Sequence, residues 1–168
     1  MKKLLAFVLV FVMIFSFAGC NVTDGKDKIF SYDEMSITLN EGFVESEMEG
    51  YNVCYDSKDI AVFVLKEEFS LMVGFEDYTL DQYADLVLQA NKERNPQTVK
   101  IDGLGNCIKY TFYNEELKQD YTYLAALYKS DSAFWMVQFT CKTEKYEEFE
   151  PYFIERAKTV TFNTLTAE

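Results

Sequence analysis

Three strand-like runs, "NCIKYTFY", "DYTYLAALY" and "AFWMVQFTC", follow one another between residues 106 and 141, with short turns at "NEELK" and "KSDS" between them. No other feature constrains the fold as strongly. In the first run Ile108, Tyr110 and Phe112 fall on one side, because successive strand side chains point to opposite faces. Connections this short join neighbouring antiparallel strands, whereas parallel neighbours need a crossover of a dozen residues or more. The second half of the chain is therefore expected to be an antiparallel meander.

The flanking segments complete a layered domain. Ser36–Leu39 alternates as a short strand, with Asn40-Glu41-Gly42 as its turn. Tyr51–Asp56 alternates again, with Tyr51, Val53 and Tyr55 on one face and Asn52, Cys54 and Asp56 on the other. Ser57-Lys58-Asp59 turns the chain into "IAVFVLKE", which is apolar on both faces, as in a central strand. Thr79, with Gln82 three residues later, reads as a capping box opening a helix. Its apolar face is Tyr83, Leu86, Val87 and Ala90, and it stops before Asn95-Pro96. Thr98–Asp102 leads into a turn at Gly103-Leu104-Gly105. Thr143 is expected to cap a last helical segment that buries Tyr146, Phe149, Phe153, Ile154 and Ala157. Pro151 should split or kink that segment, and "TVTFN" closes the chain as a strand. The expected fold class is α+β, a mostly antiparallel sheet covered by two main helices.

The chemistry available is narrow. With no histidine, serine–histidine and cysteine–histidine nucleophiles and the commonest transition-metal ligand are excluded. Phosphate-binding glycine loops and the EF-hand pattern are absent, so no cofactor is expected. Paired carboxylates could still serve a glycan hydrolase, but in a chain with 28 acidic residues some pair by chance. "EKYEEFE" (Glu144, Glu147, Glu148, Glu150) reads as the wet face of the last helix, with a weak calcium surface as the alternative. Trp135 shares a face with Val137, Phe139 and Cys141; it is either a core aromatic or the floor of an apolar groove. Cys54, Cys107 and Cys141 form no CxxC pair and no evident disulfide framework. Cys54, beside Asn52 and Asp56, is expected to be partly exposed.

At the other end, Lys2 and Lys3 precede a 14-residue apolar run, Leu4–Phe17, that is too short to cross a bilayer comfortably. It ends in Phe17-Ala18-Gly19-Cys20, which resembles the lipobox of bacterial lipoproteins, with Phe17 in place of the usual aliphatic residue. The resemblance implies a signal peptide over 1–19, lipid on Cys20 and a membrane-anchored protein on the extracytoplasmic face. An ordinary signal peptide or an uncleaved anchor is the alternative. Residues 20–28 would be the lipidated cysteine and a short linker reaching about 15 Å, followed by a single domain over 29–165. The mature chain would carry 14 basic and 28 acidic residues, a charge of −14. That charge opposes nucleic acid or anionic lipid as a direct ligand. It keeps an exposed protein soluble, or else presents an acidic face to a basic protein or peptide partner.

"MSITLNEGF", "TLDQYADLVLQAN", the meander ending in "AFWMVQFTC" and "PYFIERAKTVTF" together resemble the PsbP-like/Mog1-like superfamily over about residues 30–163. These stretches carry strand, turn and cap features and no catalytic signature. The resemblance implies a PsbP/Mog1-like sandwich and a non-enzymatic binding or assembly module, expected here as a monomer.

Overall fold

The computed structural model describes residues 25–72 and 74–163. Its strands are β1 (Asp27–Tyr32), β2 (Met35–Asn40), β3 (Val44–Ser46), β4 (Val53–Asp56), β5 (Ile60–Glu68), β6 (Gln97–Ile101), β7 (Gly105–Asn114), β8 (Gln119–Lys129), β9 (Ala133–Lys142) and β10 (Thr161–Phe162). Helix α1 covers Leu80–Ala90 and α2 covers Tyr146–Ala157. Seven strands form one sheet in the order β3-β4-β5-β9-β8-β7-β6, and β1, β2 and β10 form a second. Every pairing is antiparallel. The meander lies at the centre, with Gln138 of β9 opposite Ala125 of β8, and Ala125 opposite Ile108 of β7.

The two helices lie on opposite faces of the large sheet. Trp135, Val137, Phe139 and Cys141 of β9 join Val62 and Val64 of β5 in one core, closed by α2 and the small sheet. Ala61, Phe63, Ile108, Tyr110, Tyr123 and Phe134 form the other, against which α1 packs. Fully burying a large apolar side chain stabilises by about 1.5–3 kcal/mol, so two cores on one sheet explain why β5 is apolar on both faces.

Several local expectations change. The strand β1 begins at Asp27, inside the segment read as linker, because Ile29 and Phe30 find partners in Thr38 and Ile37 of β2. Helix α1 opens with the capping box: Thr79 accepts from the Gln82 amide and the Gln82 side chain accepts from the Thr79 amide. It buries Tyr83 and Ala84, with Val87 and Leu88 packed beside them. The buried stripe is thus rotated away from Leu86 and Ala90, and Tyr83 sets the rotation by stacking on Phe134 with centroids 4.3 Å apart. Thr143 is not a cap. It starts a 3₁₀ turn, Thr143–Lys145, and its hydroxyl meets that of Thr122 at 2.9 Å. Helix α2 runs unbroken through Pro151, which is exposed. Burial of Tyr146, Phe149, Tyr152, Phe153 and Ala157 outweighs the cost of a proline in a helix interior, about 3 kcal/mol for the lost hydrogen bond and the ring clash together. Among the described residues no helix is long and apolar enough to cross a membrane. The apolar run Leu4–Phe17 and Cys20 lie outside the described residues.

Candidate functional site: an aromatic face beyond the first helix

The sequence-derived candidates scatter. Trp135 is fully buried beside Phe162, with centroids 5.4 Å apart, and its indole Nε1 donates to Ser130 Oγ at 3.2 Å. It is a core aromatic and floors no groove. Glu144, Glu147 and Glu148 are exposed on the outer side of the last helix and its leading turn, while Glu150 accepts from Tyr146 OH at 2.9 Å. No group of three or more acidic or cysteine side chains is placed to hold a metal ion among the described residues. Gly103-Leu104-Gly105 is the β6–β7 turn, with φ of +80° and +76° at its glycines. Cys54, Cys107 and Cys141 are free and buried. The partly exposed reading of Cys54 is therefore corrected: Phe63, Tyr51 and Met48 belong to the cluster that closes over that face.

Tyr51 is the key to this correction. The strand β4 starts only at Val53, so Tyr51 is free of the strand alternation and joins the face of Cys54, not that of Val53. There it stacks on Phe63 at 5.0 Å. Beyond the C-terminal end of α1 this face of the sheet is lined by polar aromatics. Tyr110 and Tyr123 stack at 4.7 Å with 2° between their planes. The Tyr110 hydroxyl donates to Gln138 Oε1 at 2.6 Å, and Gln138 Nε2 donates to the Tyr51 hydroxyl at 3.3 Å. Gln138 and Thr140 are buried. A buried amide is retained only when its donors and acceptors are matched, and the two phenols match this one.

Arg94 stands at the rim. Helix α1 gives way to a 3₁₀ turn, Lys92–Arg94, ended by Asn95 in the left-handed region at φ +48°. Asparagine tolerates that conformation, and Pro96 disfavours the helical alternative for the residue before it. The turn holds the Arg94 guanidinium 5.6 Å from the Tyr110 ring centroid and 5.2 Å from that of Phe112. Burial pushes the Tyr51 phenol up to about 12, against the opposing effects of the Gln138 hydrogen bond and the Arg94 charge. Burial likewise raises Tyr110 well above the usual phenol range. At neutral pH these phenols are neutral hydrogen-bonding groups, not nucleophiles. The arrangement can bind and orient; no acid–base pair for turnover stands within it. Sequence reasoning missed it because Tyr51, Arg94 and Gln138 come from a loop, a turn and a strand far apart in the chain. The one available signal was Gln138, a polar residue within an apolar strand.

Carboxylates meet on the other face of the large sheet, where the Lys66 ammonium lies over the Trp135 ring. The ammonium of Lys66 lies 2.5 Å from Asp33 and 3.2 Å from Glu68. Burial pulls the Lys66 pKa down, but the hydrogen bonds to Asp33 and Glu68 outweigh it and leave it above the ordinary value. Asp33 and Glu68 thus share one cation. The neighbouring Glu34 is buried and accepts from Ser130 at 2.5 Å and Ser132 at 2.6 Å, tying the β1–β2 turn to the β8–β9 turn.

No protein-family model and no curated protein sequence matches this chain. Solved structures do. The cyanobacterial PsbP of Synechocystis aligns with a TM-score of 0.53 and 14% identity, covering 87% of this chain and 98% of that one. A Mog1 protein carrying a single substitution aligns at 0.55 and 10% identity, over 84% and 98%. The Saccharomyces cerevisiae Ran-binding protein Mog1p aligns at 0.51 and 10%, over 83% and 96%. The chain has a PsbP/Mog1-like fold. At such identities the likeness is one of architecture, and a fold of this kind does not fix function.

Proposed function

We propose that this chain is a lipid-anchored binding or assembly-accessory module on the extracytoplasmic face of a cell membrane, without turnover, whose protein partner presents a basic surface. The lipobox-like stretch ending at Cys20 supports the anchor, and the PsbP/Mog1-like architecture supports an accessory role, since one relative of that shape is described as Ran-binding. The observation that carries the partner chemistry is the placement of the acidic excess. Glu45 on the edge strand β3, Glu47 and Glu49 in the loop after it, and Glu147 and Glu148 on α2 are all exposed to solvent. Attraction between such charges is screened over about 8 Å at physiological salt. Association with the partner should therefore slow as salt rises, with a smaller change in dissociation.

Cross-linking in the native membrane, followed by binding kinetics of the captured partner across a salt series, tests this reading. Salt-independent association removes the charge argument. Mass spectrometry of the membrane-extracted protein should find diacylglyceryl on Cys20, and Cys20→Ser should leave the chain unprocessed or detached. An unmodified Cys20 overturns the anchor. Hydrolysis of envelope glycan, abolished by one carboxylate substitution with the fold intact, would replace the binding module by a carboxylate-dependent hydrolase.

A further inference from the structure

Arg94 is one of two arginines in the chain. The other, Arg156, pairs with Asp27 at 2.8 Å. Arg94 forms no ion pair among the described residues, although the chain carries 28 carboxylates. It is half-buried, as are Tyr51 and Phe112 beside it. A guanidinium taken partly out of water without a counter-ion costs stability. The rings of Tyr110 and Phe112, through cation–π attraction, and the polar contact of Arg94 with the Tyr110 hydroxyl offset only part of that cost, since neither supplies a negative charge. The Tyr51 hydroxyl accepts from Gln138, and its own proton has no acceptor among the described residues. A fixed cation and a free hydroxyl donor thus stand at the edge of an aromatic surface whose inner polar groups are already satisfied. An aromatic surface with a few oriented polar groups at its edge is the lining chemistry of a small-molecule site.

We propose that Arg94 and Tyr51 form a binding site for a small carboxylate with a planar apolar body. The carboxylate takes a forked pair of hydrogen bonds from the guanidinium, a geometry that arginine offers and lysine does not. Tyr51 OH donates to the same group. The planar body lies against the rim ring of Phe112. The site goes beyond the accessory-module reading and does not depend on the anchor or on the basic partner, so its failure leaves both untouched.

The test uses the full chain, with benzoate and phenylacetate as probes. Acetate, benzyl alcohol and benzylammonium are the controls. Calorimetric titration should show saturable binding of both probes, with Kd on the order of millimolar for ligands of this size. Acetate and benzyl alcohol should each bind at least about tenfold more weakly, since each lacks one half of the recognised chemistry. Arg94→Gln should remove binding, Arg94→Lys should restore only part of it, and Tyr51→Phe should weaken it several-fold. In the ¹⁵N spectrum of the unaltered protein the Arg94 side-chain Nε–H signal should move on titration while that of the ion-paired Arg156 stays still. This readout needs no variant and holds if Arg94→Gln does not fold. Three results overturn the proposal: no saturable binding of either probe below about 30 mM, equal binding by folded Arg94→Gln, or movement of the Arg156 signal in place of Arg94.

Discussion

Asp56 ends β4 half-buried, with Ser46 Oγ donating to its carboxylate at 2.5 Å. Burial raises its pKa, and the Ser46 hydrogen bond only partly opposes this. The folded protein therefore holds a proton on Asp56 at pH values where the unfolded chain, with an aspartate pKa of about 3.9, has lost it. The stabilisation linked to that proton is fully present below the unfolded value and is lost as pH rises through the folded one. Asp56→Asn, which can still accept from Ser46, should accordingly be more stable than the parent at pH 7. The gap should close on acidification toward pH 4, as read from urea midpoints; a gap independent of pH would contradict the assignment. The thiols give a second prediction at this scale. Burial pushes Cys54 and Cys141 up to about 12 and Cys107 up to about 11. The native domain from Asn21 should leave all three cysteines unreacted with a thiol reagent at pH 8, and denaturation should expose three. Reductant should not change the melting temperature. The lack of a disulfide framework was legible in the spacing of the cysteines, whereas the state of each thiol and the burial of Cys54 were not, since the latter depends on Tyr51 leaving the strand register.

Among the elements, those with strong local signals were the easiest to read. Helix α1 starts at its capping box because Thr79 and Gln82 satisfy each other's backbone amides whatever the rest of the chain does. Thr79→Ala should cost about 0.5–2 kcal/mol, measured by chemical denaturation. The meander strands β7, β8 and β9 were legible for the same kind of reason: their turns are too short to permit another pairing. By contrast, the stripe that α1 buries is decided by Phe134, a residue 51 positions after Tyr83 on which that tyrosine stacks. Pro151 misled for a related reason, because its local penalty is real but the buried aromatics of α2 outweigh it. β3 escaped notice because its three residues have little alternation of their own and are held by pairing with β4.

At the level of the molecule, the large sheet has two open edges, β3 and β6. An unpaired edge invites strand addition from another chain, and charged side chains suppress it. Glu45 on β3 and Glu47 just beyond it are exposed. Replacing both by Val should make the domain associate in a concentration-dependent way, seen by sedimentation or light scattering, while the parent does not. The sequence by itself determined the antiparallel meander, the α1 cap, the acidic exterior and the absence of histidine chemistry, because each rests on neighbours in the chain or on composition. The tertiary structure decided which face each helix covers, that Trp135 is core, and that Tyr51, Arg94 and Gln138 meet. These depend on contacts between residues on different elements, such as Tyr83–Phe134 and Tyr51–Gln138, the latter 87 positions apart, and local spacing carries no information about which distant side chains will share a face.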